Sequence, residues 1–553
     1  GQIVSAIIAG RLLTGAALSV IGVALPVYYA YAALGAMVGV GATAVCANLI
    51  GQREFAKVHQ TYTLSYILLF LFAIALTLPI LMFTDPVLRL LGATPDIFAE
   101  TKEYVSALGA GGVLVMLVYP AYNLLRFDGR NFAAAAVFFM MAGLNILLDF
   151  VFLLGLKSGV SGIAVAMVLS SGAAGIFGNA LLLKKSENLK IARPEPGSIG
   201  LARRVIWAGS PSAMEYLCFL LTALFINNIL SSRFGSSALS VFKVVDSVDT
   251  FSLAVIWAIA GPLVTFAGVF LAERDTSSVK QLLTLAFKWG GPIVLAITVC
   301  CFVFSTRVAA LFGVAGPAAQ AAVRIFSLHL PMSLLLNIVI YLYMANHRAA
   351  LANLIIASKF ILVVAFASPL TNTFGLTGVW HSFWISEVIT ILLICAVGMA
   401  LCRKNKDLTR FFLIDLSAER QGAYKAFIVP ATYESISECA AGILDFSEAN
   451  ALSAGEAMRI SLALEELLVV ITENCKPDHV NVRILIIGDT IIISLRNTGA
   501  KFNPVEYARN AEGDKEMDVM GINIILKLAV SVDYRNTFGV NNNIIVLRKN
   551  AKK

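Results

Sequence analysis

The sequence predicts an all-α polytopic membrane protein of two six-helix lobes, followed by an α/β two-layer domain. Three observations predict it. Hydrophobic residues make up 58% of the 553 positions and charged residues only 14%, against roughly 25% charged in a soluble globular domain, and the mean hydropathy is +0.82. Apolar stretches, each long enough to cross about 30 Å of hydrocarbon, recur up to residue 402 and then stop. Segments of the first half also return in the second at a near-constant offset.

The spans fall near 16–49, 60–84, 103–125, 132–155, 159–184, 204–231, 236–271, 283–305, 320–345, 347–369 and 374–402, eleven in all. The opening GQIVSAIIAGRLL reads as the tail of one more helix. With no initiator Met, the chain is expected to be cut within that first helix. The opening is not a signal peptide, because no small-residue cleavage site follows a basic start.

The repeat is carried by short matches. ALSV stands at 17–20 and again at 238–241, an offset of 221. DPVLRLLGATP (85–95) aligns with TRVAALFGVAG (306–316) at the same offset, which places Gly92 on Gly313. GVSG (159–162) aligns with GLTG (375–378) at 216. The polar EPGSIGLARR (195–204) separates the copies, so residues 1–194 form one lobe and 195–402 the other. Two parallel repeats suit a carrier that binds cargo between or within them and rocks them for alternating access. A structural bundle or a channel is the plainer alternative. No Walker A loop occurs in the membrane part.

Charge gives the orientation. Residues 403–553 hold 19 basic and 19 acidic residues, so the 23 basic and 15 acidic residues before them carry the whole net charge of +8. That balance points to anionic lipid as a partner of the membrane part and away from nucleic acid. The loops containing Arg53, Arg126, Lys184, Arg203, Arg274 and Arg348 hold thirteen Lys and Arg, and the opposite loops only six. The first set therefore lies in the cytoplasm, and so does the domain after the last span. Its cysteines, Cys439 and Cys475, are expected to be reduced, and none of the eight cysteines forms a CxxC pair.

Polar residues inside the spans are the site candidates. Asn145 and Asp149 lie four apart in FMMAGLNILLDFVFLLGL (139–156), on one helix face. A charged Asp at the bilayer centre costs roughly 2.5–3.5 kcal/mol, so such a group faces a cavity or a partner and marks an ion or proton path. An interhelix hydrogen bond is the plainer reading. Glu215 follows GSPSAM (209–214), near an expected helix start where a carboxylate favours the positive end. In VFKVVDSVDTF, Lys243 can pair with Asp246, leaving Asp249 to line a cavity. His329 and Glu387 are single polar residues on apolar helices, where packing or interhelix contact is the default.

With these residues in view, positions 1–402 resemble the MATE (multidrug and toxic compound extrusion) transporters of the MOP flippase superfamily. GRLLTGAALSVIGVALPV (10–27), LRLLGATPDIFAETKEYV (88–105), LNILLDFVFLLGLKSGVSGIAVAM (144–167) and AGSPSAM (208–214) carry the resemblance. It implies twelve helices in a bacterial cytoplasmic membrane, and a secondary antiporter extruding organic cations in exchange for H⁺ or Na⁺. In several prokaryotic members the first lobe holds its cation with an Asp on the first helix, Asn-x-x-x-Asp on the fifth and a Thr on the sixth. Asn145 and Asp149 match the fifth-helix pair, the first-helix position is Ser5, and the Thr position falls on Met167. One Asp with Asn and Ser oxygens suits a proton, whereas Na⁺ wants more oxygens than Met167 leaves. Glu215, Asp246, Asp249 and Glu387 are expected in the substrate cavity.

After RKNKDLTRFF (403–412), within a juxtamembrane linker at 403–419, residues 420–553 read as a compact domain. YKAFIVPA (424–431) alternates as a strand, and 435–450 and 454–475 have helical periodicity. VNVRILIIG (480–488) and TIIISLRN (490–497) pair about Gly488-Asp489, 520–530 is helical, and 530–538 with 542–549 closes a second hairpin. LALEELLVVITEN, SLRNTGAKFNP and VMGINII make it similar to the GHKL (histidine-kinase-like) ATP-binding fold, especially the anti-sigma-factor kinases. Glu466 matches that family's helix Glu, but its Mg²⁺-binding Asn is Val470. The adenine-reading Asp is Asn497, followed by Gly499. Val519 replaces the first paired glycine and Gly521 keeps the second. Asn497 could still accept from an adenine amino group, but Val470 cannot bind metal. No cofactor is expected to be required, ATP binding is weak or absent, and the domain docks a partner such as a sigma or anti-anti-sigma protein. The alternatives are a membrane receptor whose tail binds that partner, and a lipid-linked flippase.

Overall fold

The computed structural model describes residues 5, 15–91, 93, 95, 97–186, 188–195, 197–234, 236–311, 316–417, 422–450, 452–509, 520–537 and 539–549. They form two compact units, the first ending at Ile414 and the second comprising Asp128–Arg130 with Asp415–Lys553.

The first unit is helical. Its elements are α1 (Gly15–Gly51), α2 (Phe55–Met82), α3 (Thr84–Leu90), α4 (Phe98–Ala110), α5 (Gly112–Phe127), α6 (Asn131–Phe150), α7 (Gly159–Lys185), α8 (Ile199–Phe234), α9 (Ser236–Ala272), α10 (Thr276–Val303), α11 (Ser305–Leu311), α12 (Pro317–Ser327), α13 (Leu330–Ala345), α14 (Ala349–Phe374) and α15 (Leu376–Lys404). Among the described residues ten helices are long and apolar enough to cross a membrane, or eleven when α4 and α5, bent by 48°, count as one span. The chain is thus a multi-pass membrane protein, and each of the eleven expected spans has a helical counterpart. The bend falls at Gly111, where a Cβ would lie 2.1 Å from Val168. A Cβ on the next residue, Gly112, would lie 2.1 Å from the ring of Tyr31. The break lets α1 and α7 approach closer than any side chain would permit.

Two cores match the two lobes. One gathers Tyr31, Leu69, Leu108, Met116 and Ala164 from α1, α2, α4, α5 and α7. The other gathers Val245, Cys301, Phe326, Val363 and Trp380 from α9, α10, α12, α14 and α15. Outer faces stay apolar and exposed, as on α2 (Phe70, Leu71, Ile74) and α10 (Leu285, Trp289, Leu295), which suits contact with lipid chains.

The lobes meet through glycine. A Cβ on Gly41 would stand 2.1 Å from the Val205 carbonyl oxygen, and one on Gly209 only 1.8 Å from that of Met37. At this seam α1 and α8 touch backbone to backbone. Further along, Asn48 Nδ2 donates to the Ala345 carbonyl at 3.0 Å, and Gly51 abuts Ala272. All these contacts lie toward the loops of Arg53, Arg203, Arg274 and Arg348. The lobes are closed together at the end assigned to the cytoplasm.

Residues 405–414, expected within a linker, instead pack on the helical unit. Tyr343 Oη donates to the Phe411 carbonyl at 2.7 Å, and Asn346 Nδ2 to that of Leu413 at 3.0 Å. Leu413 and Ile414 are buried. The basic-aromatic composition of this stretch hid two apolar anchors at its end.

The second unit holds β1 (Ala423–Pro430), α16 (Tyr433–Ala449), α17 (Ala454–Cys475), β2 (His479–Ile487), β3 (Thr490–Asn497), α18 (Pro504–Arg509), α19 (Met520–Leu528), β4 (Ala529–Thr537) and β5 (Val540–Arg548). The sheet is antiparallel throughout, in the order β1-β2-β3-β5-β4. Its apolar positions pack against α16, α17 and α19. The expected hairpins and helices are present. Ser453 and Glu456 form a capping box that starts α17, Thr432 caps α16, and Gly488 supplies the positive φ of 56° in the β2–β3 turn.

The seam generates a test. Gly209→Ala is expected to lower the thermal midpoint of the detergent-solubilised chain by several degrees, since overpacking of this kind costs about 1–3 kcal/mol. Gly200→Ala, on the same helix with open space at its Cβ position, leaves the midpoint unchanged or higher. Differential scanning fluorimetry distinguishes the two.

Candidate functional site

Polar groups inside the membrane unit gather at two places. In the first lobe Asn145 and Asp149 project from one face of α6, and both are buried, Asp149 completely. The helix loosens into a single π turn at Val151–Gly155, two residues beyond Asp149, a distortion often found at functional sites. Ser5 Oγ lies 2.6 Å from Asp149 Oδ2 and 3.1 Å from Asn145 Oδ1. A hydroxyl has one proton to donate, so three oxygens converge on a single hydrogen. Asp149 Oδ1 and Asn145 Nδ2 are buried without a hydrogen-bond partner. One added proton, or a small cation, would complete this cluster. Met167 is half-buried against the apolar core of the lobe and contributes packing rather than oxygen.

The second place is a cavity of about 320 Å³. Tyr28, Tyr29 and Tyr119 line it from the first lobe, and Tyr216, Trp257 and Phe383 are among its aromatic walls from the second. All four expected acidic residues face it: Glu215 on α8, Asp246 and Asp249 on α9, and Glu387 on α15. Glu215 is not near a helix start. It sits midway along α8, because Pro211 is accommodated inside the helix rather than beginning it. A helix-end role is therefore removed, and its Oε1 accepts from Trp257 Nε1 at 3.3 Å. The Lys243 side chain, expected to pair with Asp246, lies outside the described residues.

Glu387 anchors a charged network. Only 2% exposed, its Oε1 takes an ion pair from Lys359 Nζ at 2.7 Å and a hydrogen bond from Ser333 Oγ at 2.7 Å. His329 stands between two carboxylates, with Nδ1 3.5 Å from Glu387 Oε2 and Nε2 3.4 Å from Asp249 Oδ1. These are charge contacts at a distance, since neither carboxylate oxygen nor Nε2 has an aligned hydrogen bond. His329, read from sequence as a packing or interhelix contact, makes contacts to two other helices and also lines the cavity. Lys359 was missed. Its signal was a lone Lys in the apolar span 347–369, the same signal that marked Asp149. Four carboxylates against Lys359 and His329 leave the cavity acidic.

In the second unit, Val470 is buried in the apolar core. Asn497 Oδ1 accepts from the Gly499 N–H at 3.1 Å and from Asn541 Nδ2 at 3.0 Å, which occupies both lone pairs. Gly499 abuts the Cys475 carbonyl, and Gly521 abuts the exposed Glu466, whose Oε2 would lie 2.3 Å from a Cβ there. Val519 lies outside the described residues. Burial pushes the Cys439 thiol up to about 12 and also raises that of Cys475, so both stay neutral and unreactive.

Comparison with known proteins agrees with the helical geometry. The family model MatE matches residues 1–151. The multidrug export protein MepA of Staphylococcus aureus strain MSSA476 is 25% identical over 389 residues, covering 68% of this chain and 84% of that protein. The MepA of Staphylococcus haemolyticus is 24% identical over 392 residues, with the same coverage. Among solved structures, an outward-facing multidrug resistance MATE family transporter of the MOP superfamily superposes with a TM-score of 0.69 at 22% identity, covering 73% of this chain and 92% of that one. A MOP superfamily transporter from Pyrococcus furiosus, described as having a binding pocket of reverse polarity, gives 0.67 at 22% identity, covering 73% and 90%. The helical unit has the MATE fold.

Removing one partner of a buried ion pair costs about 3–5 kcal/mol. Glu387→Gln, which leaves Lys359 uncompensated, is expected to lower the thermal midpoint strongly. Adding Lys359→Met to it should restore most of the loss. A double-mutant cycle by thermal unfolding in detergent measures this.

Proposed function

We propose, from the MATE fold and the chemistry of its cavity, that this chain is a secondary transporter that extrudes organic cations across a bacterial cytoplasmic membrane in exchange for H⁺. The carrying observation is the acidic, aromatic-walled cavity between the lobes. Aromatic faces and carboxylates together attract flat, apolar cations, by cation–π contact and by direct charge. Such a cargo matches the multidrug export named for the MepA relatives. The Ser5–Asn145–Asp149 cluster supports a proton as the coupling ion, because it lacks one hydrogen and offers few oxygens to Na⁺. The net negative charge disfavours an anionic pyrophosphate lipid, which makes a flippase the weaker reading.

The second unit is proposed as a GHKL-like docking module, for a partner of the sigma-regulator kind, that works without Mg²⁺-ATP. The three helices on one face of its sheet support that reading. Val470 within the core, and the occupied lone pairs of Asn497, argue against nucleotide as its ligand.

Two measurements test these readings. In proteoliposomes carrying a pH gradient, the chain is expected to drive efflux of ethidium, and Asp149→Asn to reduce it at least tenfold while the protein still folds. Equal efflux from both would remove Asp149 from coupling. Separately, millimolar Mg²⁺-ATP is expected to leave the thermal midpoint of the full chain unchanged. A magnesium-dependent rise would overturn the docking reading.

A further inference from the structure

The charged network of the second lobe has a feature that the Asp149 cluster lacks. Both ring nitrogens of His329 face carboxylate oxygens, Asp249 Oδ1 on one side and Glu387 Oε2 on the other. Neither oxygen accepts a hydrogen bond from any other described group. A neutral imidazole carries one N–H and one lone pair. One of its nitrogens would then point a lone pair at a carboxylate, and the two would repel. The arrangement is complete only when both nitrogens carry a proton and the ring is positive.

We propose that His329 is a second proton-exchange site, at which a cargo cation arriving beside Asp249 displaces the proton of the ring. The inference rests on the transport reading and deepens it. The two carboxylates differ in their dependence on His329. Glu387, from α15, keeps Lys359 of α14 and Ser333 of α13 on its other oxygen, so its charge stays compensated after the proton leaves. Among the described residues, the basic group within ion-pair distance of Asp249, from α9, is His329, and Lys359 acts on Asp249 from farther away. It is the carboxylate that a cargo cation would neutralise. Glu215 and Asp246 line the same cavity and keep its field negative before and after the exchange. The rings of Phe326, at 4.3 Å between centroids, and Phe383, at 6.4 Å, pack against the imidazole and hold its nitrogens toward the two acids. The charges balance: one positive charge leaves as H⁺ to water, and one enters with the cargo. Neither Asp249 nor Glu387 is left without a counter-charge at either stage, so the step avoids the penalty of isolating one of them out of water.

The test counts protons. Ethidium is titrated calorimetrically into the detergent-solubilised full chain, in two buffers of different ionisation heat. The unaltered protein is expected to release close to one proton per ethidium bound. Its affinity should fall about tenfold per pH unit on acidification, as competition with one proton requires. His329→Gln, which keeps a donor and an acceptor at the position but cannot gain a charge, should bind with release near zero and a flat pH dependence. Should that variant not fold, Asp249→Asn serves instead and should also lose the release. Asp149→Asn should retain it. Undiminished release from His329→Gln, no release from the unaltered chain, or loss confined to Asp149→Asn would each overturn the proposal and leave the transport reading standing. No saturable binding of ethidium or tetraphenylphosphonium by the folded protein would overturn both.

Discussion

The helical unit depends on one close contact, that of α1 with α8 at Gly41 and Gly209. Each glycine lies where a Cβ would overlap a carbonyl oxygen of the other lobe, so the helices pack on bare backbone. In a membrane, association gains nothing from burying apolar surface away from lipid and depends on such close packing. The seam sets the distance between the lobes, brings Asn48 within reach of Ala345, and closes the cytoplasmic end. The cavity therefore lies between two separately cored lobes that share a contact at one end. That is the geometry of a body able to rock about its closed end.

Within this frame, the charged groups are placed by the cost of burying them. Four carboxylates inside the lobes have a definite answer to the absence of water. Asp149 leans on a serine hydroxyl, Glu215 on an indole N–H, Glu387 on a lysine and a serine, and Asp249 on a histidine. The two lobes answer differently. The first uses neutral oxygens, whereas the second sets carboxylates against a lysine and a histidine. The two lobes thus differ in the chemistry of their buried polar residues.

The cytoplasmic unit follows another logic. Its sheet and helices need only an apolar pattern, and that pattern is intact. Val470 packs within the core, and Asn497 is tied to the Gly499 N–H and to Asn541.

By itself, the sequence determined the place of the spans, the hairpins of the second unit, and the acidic residues that the cavity gathers. Hydrophobic periodicity and the cost of charge in lipid are local properties, and they leave local traces. It also marked Asn145 and Asp149, because a pair on one helix face survives in spacing, whereas Ser5 was named only through the family resemblance. Only the tertiary structure decided what each polar residue meets. It moved Glu215 from a helix start to the middle of α8, joined His329 to Asp249 and Glu387 across three helices, and brought Lys359 onto Glu387 from the preceding helix. Partners so far apart in sequence share no pattern that a linear reading can detect. They are set by helix packing, which here is governed by two glycines whose importance lies in the side chains they lack.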